Sequence, residues 1–574
     1  MKKENGISLI SLIITIIVMI ILAVVALSMV TGEGNVIQNA DTAVTATNDA
    51  NDLEQIQIAQ NASKVSGYDT EGTKKTLVDI VNEEGWGTAV YDSQRGVTVV
   101  TMTDSGKKYD VYEDGTITEN TIDTSWYEGE EGTTDFTIAT AADLEGFAYL
   151  VNGGDTFSGK TITLNANIDL GGKTWTPIKN FAGKFDGNNH TISNFALDGT
   201  KAHTGFFDTI AGGAEVSNLT ISNVDATVGA YRIGIFVRNM AGISHNVKVK
   251  DVTIKTTAST AWVGGFTSFM NWGWTTNCTV ENVTVDAANG ADLIAGFACI
   301  LQKNSNMVYD NCDVKNFKVN VTDTDSGECV VGGFVAQTQR GWEYPEVKNT
   351  DVTGLDITAV GKVYSAGFVT IPGAHQTASN CTVQGTINAT GVTSSTYWAG
   401  GFLGNCGWNA DLGQMGHKIT NCSANVNITS GGAAVGGFVG SVTNLNNNSM
   451  YATFTNCKAT GSVTNTNGAA GAFAGVADRG VYTNCIATGA VSGTTYAGGF
   501  IGYIKDVTPK YDSRYPAGTR DYLVDQITIS GCTGSSSVTG PTGKTASIVG
   551  YIDAGTDVTL TSNNFTGTES NKAS

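Results

Sequence analysis

Residues 433–442, AAVGGFVGSV, and residues 454–463, FTNCKATGSV, decide the fold, because both patterns recur along most of the chain. The first is a Gly-Phe unit or a close variant, spaced 27 to 37 residues apart, with phenylalanines at Phe206, Phe236, Phe266, Phe297, Phe334, Phe368, Phe402, Phe438, Phe473 and Phe500. The second is an Asn-Cys-like unit between them, at Leu219, Val247, Cys278, Cys312, Thr350, Cys381, Cys422, Cys457, Cys485 and, more loosely, Cys532. The interleaved series predict about ten coils of roughly 30–35 residues.

Apolar residues alternate within the second unit, where Cys457, Ala459 and Val463 share a parity. A period of two is typical of β-strands. Earlier copies contain an additional asparagine such as Asn282, which predicts a left-handed turn or bulge between two strands. Strands that recur at a fixed period between Gly and Asn turns predict a parallel β-solenoid, whereas propeller blades need about 40 residues or more. The predicted fold class is therefore dominated by β-structure.

The GGFxG units resemble the GLUG motif of bacterial surface proteins, and residues 136–195 resemble the segment that precedes such repeats in adhesin-like proteins. The resemblance implies a right-handed solenoid. It also implies a short helix around 141–151 that caps the solenoid, whose end would otherwise expose unpaired N–H and C=O groups. We therefore predict an entry and cap segment at 136–204, a solenoid at 205–560 with an insertion at 505–526, and a flexible tail at 561–574.

The N-terminus carries an apolar run at 7–30, ISLISLIITIIVMIILAVVALSMV, which is long enough to cross a membrane as one helix. Two preceding lysines predict a cytoplasmic N-terminus, with the bulk of the chain outside the cell. The run resembles the N-terminus of type IV prepilins, which implies a leader at 1–6, cleavage by prepilin peptidase after Gly6, and methylation of Ile7. Ser11 stands where pilins carry a glutamate that pairs with the neighbouring subunit, so repeated polymerisation is not expected. A plain membrane anchor is the alternative.

A small head is predicted to follow the apolar run. We expect the helix to continue over 31–63, then a short amphipathic helix over 73–84 ended by Gly85, then short strands joined by Asp, Ser and Gly turns. This arrangement resembles a pilin head, and we assign it 64–125. An acidic, glycine-containing linker at 126–135 separates it from the entry segment.

Composition limits the classes of partner. The formal net charge is −20, with 53 acidic and 33 basic residues, which argues against nucleic acid as the main partner. Only 15% of residues are charged and 71 are glycine, a balance typical of an extracellular β-rich protein. Seven of the ten cysteines occupy equivalent coil positions and predict a ladder of buried thiols. The other three, Cys299, Cys329 and Cys406, are expected to be exposed or paired.

Aromatic residues near the repeats form two sets. One set stands four residues before a repeat phenylalanine, which predicts that it shares the core face: Trp262, Tyr364, Trp398 and Tyr496. The other set falls in connections after the phenylalanine strand, among polar residues: Trp272, Trp274, Tyr309, Trp342, Tyr344 and Trp408. Loops at one coil position line up along one side of a solenoid, and aromatic rings beside polar groups suit sugar faces. We predict the second set as a carbohydrate or receptor surface, with ordinary loop packing as the alternative.

The insertion at 505–526 reverses the acidic character of the chain. Its contact candidates are Lys510, Arg514, Tyr515 and Arg520. Covering the end of the solenoid is the alternative role for this segment.

Catalytic and metal-binding patterns are weak. The five histidines have no metal-ligand spacing, and no nucleophile elbow or phosphate loop is present. Acidic pairs such as Asp310 and Asp313, or Asp323 and Asp325, leave a polysaccharide lyase or hydrolase as an alternative. No cofactor is predicted, and calcium is the one metal that the segment 323–328 loosely suits.

Together these features predict a surface protein of a Gram-positive-type bacterium that acts as an adhesin, not an enzyme. It would be a single-pass membrane protein or a minor, tip-like component of a pilus. Its predicted partners are prepilin peptidase, the pilus or secretion machinery, the membrane, and a carbohydrate or protein receptor. A purely structural spacer is the further alternative.

Overall fold

The computed structural model describes residues 36–66, 75–93, 95–127, 132–198, 201–229, 231–256, 258–302, 308–323, 328–338, 346–373, 376–390, 397–406, 416–443, 452–506 and 526–572. The chain divides into two compact units between Ile122 and Asp123. The predicted processing residues Gly6, Ile7 and Ser11, and the apolar run at 7–30, lie outside the described residues. Within the described part of the chain, no helix is both long and apolar enough to cross a membrane.

The first unit is a small α+β domain. It consists of helix α1, Val36–Ser66, helix α2, Leu77–Glu84, and an antiparallel sheet with strands Gly87–Asp92, Val97–Met102, Lys108–Tyr112 and Ile117–Glu119 in sequential order. Helix α2 begins at a capping box between Thr76 and Asp79, and it ends at Gly85, whose φ of 74° is left-handed. Helix α1 contributes Ile56 and Ala59 to the core that lies between the helices and the sheet.

The second unit is a parallel β-solenoid with three sheets and one helix, α3, Ala141–Asn152, which follows the first strand. The first sheet has thirty strands: Asp135–Ile138, Thr161–Leu164, Ile168–Asp169, Thr174–Trp175, Lys184–Asp186, Thr191–Leu197, Glu215–Val228, Ile243–Thr256, Trp274–Thr276, Thr279–Ala287, Val308–Asp310, Asp313–Asp323, Glu346–Lys348, Asp351–Gly361, Thr377–Ser379, Thr382–Ala389, Lys418–Thr420, Ser423–Ser430, Thr453–Thr455, Lys458–Ala459, Val463–Asn465, Gly480–Thr483, Ile486–Ala487, Val491–Gly493, Gln526–Ser530, Thr533–Gly534, Val538–Pro541, Asp557–Thr561, Asn564–Phe565 and Glu569–Lys572.

The second and third sheets flank the repeat phenylalanines and have eleven strands each. Strands of the second sheet precede each phenylalanine: His203–Thr204, Arg232–Gly234, Trp262–Gly264, Leu293–Ala295, Cys329–Gly332, Val363–Ala366, Trp398–Gly400, Ala434–Gly436, Ala469–Gly471, Tyr496–Gly498 and Thr545–Ala546. Strands of the third sheet follow it: Phe207–Ile210, Val237–Met240, Thr267–Met270, Ala298–Leu301, Val335–Thr338, Val369–Ile371, Leu403–Asn405, Val439–Val442, Ala474–Ala477, Ile501–Ile504 and Val549–Ile552. The predicted all-β solenoid is confirmed, and the hand of its coil stays a prediction.

The repeat phenylalanines form one continuous stack inside the solenoid. From Phe236 to Phe500, successive ring centroids are 4.4 to 5.0 Å apart, and every ring in this run is buried. Each strand pairs in parallel with its equivalent one coil away, so a ring spacing near the ~4.8 Å distance between strands follows directly. Stacked like residues therefore set the register of the coils.

The cysteines are all buried and form no disulfide, as the ladder prediction required for seven of them. The expectation for Cys299, Cys329 and Cys406 is wrong, because these three thiols are also fully buried and none of them forms a disulfide. They lie in or directly after strands of the second and third sheets, where backbone from the adjacent strand encloses them. Burial raises the pKa of the Cys299 thiol well above its ordinary value.

Asparagines form hydrogen-bonded ladders at two corners of the coils. The predicted left-handed conformation of Asn282 is confirmed by a φ of 55°, and the asparagine before the cysteine position behaves alike, with φ between 51° and 56° from Asn218 to Asn484. Their side chains bond from coil to coil: Asn311 Nδ2 donates to Asn277 Oδ1 over 2.9 Å, and Asn456 Nδ2 donates to Asn421 Oδ1 over 3.0 Å. Each asparagine thus closes a tight corner and links it to the next coil.

Helix α3 closes the first coil. Its Phe147 ring is fully buried and packs 5.1 Å from Phe157, 5.6 Å from Phe181 and 5.6 Å from Phe185, measured between ring centroids. The helix therefore supplies apolar contacts where the first coil has no preceding coil.

Two predicted boundaries differ from the structure. Trp126 and Tyr127, placed in the linker at 126–135, pack against Phe136 of the solenoid. Residues expected as a flexible tail at 561–574 include two further strands of the first sheet, Asn564–Phe565 and Glu569–Lys572, which pair with the preceding coil. The free edge of that coil offers unpaired backbone groups, and the following chain satisfies them.

Candidate functional site

Trp272 and Trp274 project from the corner between the third and first sheets. They are 61% and 53% exposed, which makes them the most exposed tryptophans among the described residues. Gly273 separates them and lies against the preceding coil, where an added Cβ would come 2.6 Å from the oxygen of Gly242. Trp274 then begins the strand Trp274–Thr276 and pairs in register with Ile243, which is 37% exposed. The corner therefore presents two indoles over a small apolar patch.

Trp272 also has an unusual backbone, with a φ of 72°. The other residues of the solenoid corners with positive φ are mostly asparagine and glycine. A bulky residue in this region costs roughly 1–3 kcal/mol, and such strain concentrates at functional sites. The structure thus holds an exposed indole in a conformation that the local sequence does not favour.

Polar acceptors lie at the same corner. The side-chain oxygens Asn271 Oδ1 and Gln302 Oε1 are buried and have no hydrogen-bond partner. Both residues continue the third sheet: the Asn271 amide donates to Met240 O over 2.6 Å, and the Gln302 amide donates to Met270 O over 2.8 Å. A ligand with an apolar face would cover the two indoles, and one with hydroxyl donors would reach these two oxygens once their side chains turn outward.

Tyr309 does not belong to this surface. It lies within the strand Val308–Asp310, and its ring is fully buried. Its register partner in the next coil is Val347, a core residue, so the ring fills the same inward column. The sequence held a signal for this, because Tyr309 stands three residues before Cys312, the spacing that Ile419 and Phe454 have before Cys422 and Cys457.

The remaining predicted contact residues lie outside the described part of the chain. These are Trp342, Tyr344 and Trp408 of the aromatic surface, and Lys510, Arg514, Tyr515 and Arg520 of the insertion. Their roles stay predictions.

Sequence reasoning missed a second aromatic region, on the outside of the solenoid. Trp262, Trp398 and Tyr496 were expected on the core face. Each begins a strand whose second residue is buried, so alternation turns the three rings away from the phenylalanine stack. The rings are half-buried, and Trp262 and Trp398 still pack against the edge of the core. They contact outward residues of the third sheet; the Tyr496 ring lies 4.4 Å from Tyr503. We call this line of contacts the outer seam. In the second sheet it follows the register column that contains Trp262, Trp398 and Tyr496, and in the third sheet it follows the third residue of each strand.

The glycines of the repeat explain why the seam forms. An added Cβ on Gly264 would lie 1.9 Å from the oxygen of Thr267, because the chain reverses sharply at the Gly-Phe unit. The outward faces of the two sheets are therefore brought together. Tyr364 shares the register position of Trp398 but is 1% exposed, so only this member of the expected core set is buried.

Charged groups lie next to the seam at its N-terminal end. Arg238 binds Asp208 through two hydrogen bonds, Nε to Oδ1 over 2.6 Å and Nη2 to Oδ2 over 3.0 Å. Burial opposes the charge on Asp208, but the hydrogen bonds and charge of Arg238 dominate and hold its pKa below the ordinary value. Burial and the two nearby arginines, Arg238 and Arg232, lower the pKa of His203.

The candidate acidic pairs show no assembled metal or catalytic centre among the described residues. No group of three His, Cys, Asp or Glu side chains there is arranged to hold a metal ion. Asp310 accepts a hydrogen bond from Asn349 over 2.8 Å and lies 3.5 Å from Lys348, while Asp313 lies 3.0 Å from Lys315. Asp325 and most of the calcium-like segment 323–328 are outside the described residues.

Comparison with known proteins gives partial sequence relatives. No protein family model matches the chain. It is 32% identical over 177 residues to halomucin from Haloquadratum walsbyi, a match that covers 28% of this chain and 2% of halomucin. It is 33% identical over 138 residues to a protein named as a Gly-rich membrane protein from Evansella cellulosilytica, covering 22% of this chain and 16% of that protein. The chain thus spans a small fraction of either relative.

A crystal structure from Bacteroides ovatus, named as an immunoglobulin A1 protease, aligns with 60% of this chain and 84% of its own. The TM-score is 0.32 and the identity 17%, which is too low to support an argument about fold or activity. The resemblances to prepilins and to GLUG-repeat proteins have no family match behind them and stay predictions.

Proposed function

We propose that this chain is a cell-surface protein whose β-solenoid acts as an adhesin, and that Trp272 and Trp274 contact a glycan or a surface receptor. The observation that carries the proposal is the pair of indoles, 61% and 53% exposed, at one corner of a rigid repeat. A soluble fold gains nothing from leaving two indoles in water, whereas a ligand with an apolar face would cover them.

The polar groups at this corner support the same function. Asn271 Oδ1 and Gln302 Oε1 lack partners, and a buried acceptor without a hydrogen bond costs about 1–3 kcal/mol. Sugar hydroxyls or protein donors would satisfy these atoms. Aromatic platforms combined with a few fixed polar groups are the usual composition of ligand sites.

Placement at the cell surface is supported by the apolar run at 7–30 and by the similarity to a protein named as a Gly-rich membrane protein. In this proposal, prepilin peptidase and the pilus or secretion machinery handle the N-terminus. Repeated display of one chain on many cells or filaments would add avidity to weak individual contacts.

The test is a pair of full-length variants displayed on cells. The double substitution Trp272→Ala with Trp274→Ala should reduce attachment to a glycan-coated or receptor-coated surface by roughly 30-fold, since central aromatic contacts contribute about 2 kcal/mol or more. Tyr91→Ala is the matched control, because Tyr91 is also 61% exposed but lies in the first unit. It should change neither attachment nor thermal stability.

Two results would overturn the proposal. Attachment that survives the double substitution would remove the indoles from the function, and a matching fall in the melting temperature would assign them to packing. An enzyme would instead reveal itself by releasing reducing or unsaturated ends from a polysaccharide. A structural spacer would change filament assembly without changing attachment.

A further inference from the structure

We propose that Arg232 and the aromatic residues around it form a second binding site, on the outer seam, for the carboxylate of an acidic sugar. This inference rests on the proposed adhesin function and names a ligand class for a different part of the solenoid. The guanidinium carbon of Arg232 lies 4.2 Å from the ring centroid of Trp262, 5.6 Å from that of Tyr231 and 5.9 Å from that of Phe269.

The aromatic contacts fix the guanidinium without using its hydrogen bonds. A planar cation that stacks on an indole keeps its N–H donors directed outward in the plane of the group. Arg232 Nε is buried and has no hydrogen-bond partner. In this proposal the terminal Nη groups of Arg232, which form no ion pair with any described residue, are the donors that bind the ligand. Carboxylates bind such a fork with two parallel hydrogen bonds, the geometry that favours arginine over lysine.

Arg238, which lies next to the seam, shows an arginine whose hydrogen bonds are satisfied. It lies one coil beyond Asp208 and donates two hydrogen bonds to that carboxylate. Arg232 has the same kind of donor but no carboxylate from the described chain. The missing partner is therefore an acid, and a ligand can supply it.

Neighbouring groups favour a sugar acid over a simple anion. Tyr231 is 37% exposed, and its ring lies 5.9 Å from Trp262, so it offers an apolar surface beside the cation. Asn239 Oδ1 is buried without a partner, and Asn239 pairs in register with Phe269 in the adjacent strand. A uronic acid has a carboxylate for Arg232, a hydroxyl for Asn239 and an apolar ring face for Tyr231.

The chain around the cluster is less acidic than the protein as a whole. The whole chain has a net charge of −20, which repels polyanions. Residues 201–292, which contain every residue of the cluster, have six basic and seven acidic side chains, so this part of the chain has a formal charge of −1 and is close to neutral. Burial also fixes the platform, since Trp262 donates a side-chain hydrogen bond to Asp292.

The test is calorimetric titration of the full-length protein with trigalacturonic acid and with its methyl ester, which keeps the sugar but removes the charge. The acid should bind at least tenfold more tightly than the ester, and Arg232→Gln should weaken acid binding at least tenfold. Lys201→Gln is the matched control, because the Lys201 side chain is 65% exposed and has no ring contact with the cluster. It should change acid binding by less than twofold.

Equal binding of acid and ester, absence of binding, or an equal loss in the Lys201 and Arg232 variants would each overturn the inference. If Arg232→Gln lowers the melting temperature, its loss of binding could come from unfolding, and Tyr231→Ala then becomes the deciding variant. Tyr231→Ala should weaken acid binding because it removes the exposed ring. The variant with Trp272→Ala and Trp274→Ala should still bind trigalacturonic acid. Failure of the Arg232 test therefore leaves the proposed role of the corner indoles intact, and the reverse also holds.

Discussion

Single residues close the corners of each coil. An asparagine in the left-handed region avoids part of the roughly 1–2 kcal/mol that other side chains incur there, and its amide can bond to its equivalent one coil away. Gly531 takes the corresponding position before Cys532 with a φ of 64°, and an added Cβ there would lie 2.4 Å from Asn484 Oδ1. Conformation is therefore the first requirement at this position, and the ladder of amides is an additional stabilisation.

The Asp208–Arg238 ion pair predicts a pH-dependent contribution to stability. Arg238 depresses the folded pKa of Asp208, so the stabilisation is complete above the unfolded pKa of about 3.9 and is lost as pH falls through the folded value. Asp208→Asn should lower the unfolding free energy by about 1–3 kcal/mol at pH 7, since it leaves a half-buried arginine poorly paired. The deficit should shrink as pH falls below the unfolded pKa and through the lower folded pKa, as followed by thermal unfolding across pH.

Asp356→Asn is the control for this pair. Asp356 lies 3.9 Å from Lys318, and both side chains are about half exposed, so this contact is worth about 0–1 kcal/mol. A deficit in Asp208→Asn that is the same at pH 7 and pH 2.5 would contradict the assigned role of the carboxylate charge.

Predictions for single residues succeeded where the alternation of inward and outward side chains continues without interruption along a strand. The cysteine column and the turn at Asn282 follow from spacing alone. Trp262 was misplaced because counting four residues back from Phe266 crosses Gly264 and Gly265, where the chain reverses and the alternation restarts. The outer seam depends on this reversal, so spacing could not reveal it.

At the scale of elements, the phenylalanine stack ties each coil to both neighbours. The Phe402 ring lies 4.4 Å from Phe368 and 4.9 Å from Phe438. Phe402→Ala should lower stability by about 3–5 kcal/mol, because it removes buried apolar volume and leaves a cavity between two rings. Phe402→Leu is the matched control and should cost less, because it retains most of that volume.

Hydrogen exchange locates this effect. Protection should fall in the flanking strands Val369–Ile371, Leu403–Asn405 and Val439–Val442, and it should stay unchanged in the sheet of the first unit. Equal loss of protection in both units, or no loss in the flanking strands, would show that the phenylalanine stack does not stabilise the adjacent coils locally.

Counting elements from the sequence gave about ten coils, whereas the second and third sheets have eleven strands each. The difference arises at Ile548, which accepts the backbone hydrogen bond from Phe500 and so takes the ladder position of a phenylalanine. A search for Gly-Phe units ends at Phe500 and omits this coil. The register is carried by backbone pairing, and an isoleucine fills the same inward position.

For the molecule as a whole, each solenoid strand pairs with its equivalents in adjacent coils. Stability of such arrays is close to a sum of coil terms and nearest-neighbour interfaces, so whole coils are separable units. Residues 474–500 form one coil that the structure describes completely, and Ala474 pairs in register with Ile501. Removing these 27 residues joins Phe473 to Ile501 and leaves every remaining strand with an equivalent partner.

We therefore predict that the full-length chain lacking 474–500 folds with the same strand content per residue and a modestly lower melting temperature. Circular dichroism and thermal unfolding measure both quantities. Removing 474–487 is the control, because half a coil joins Phe473 to Thr488 and takes the next strands out of register, which should abolish cooperative unfolding. If the whole-coil deletion also unfolds the solenoid, contacts beyond nearest neighbours must hold the coils together. Equal tolerance of both deletions would mean that the coil register is not set by the stacked core.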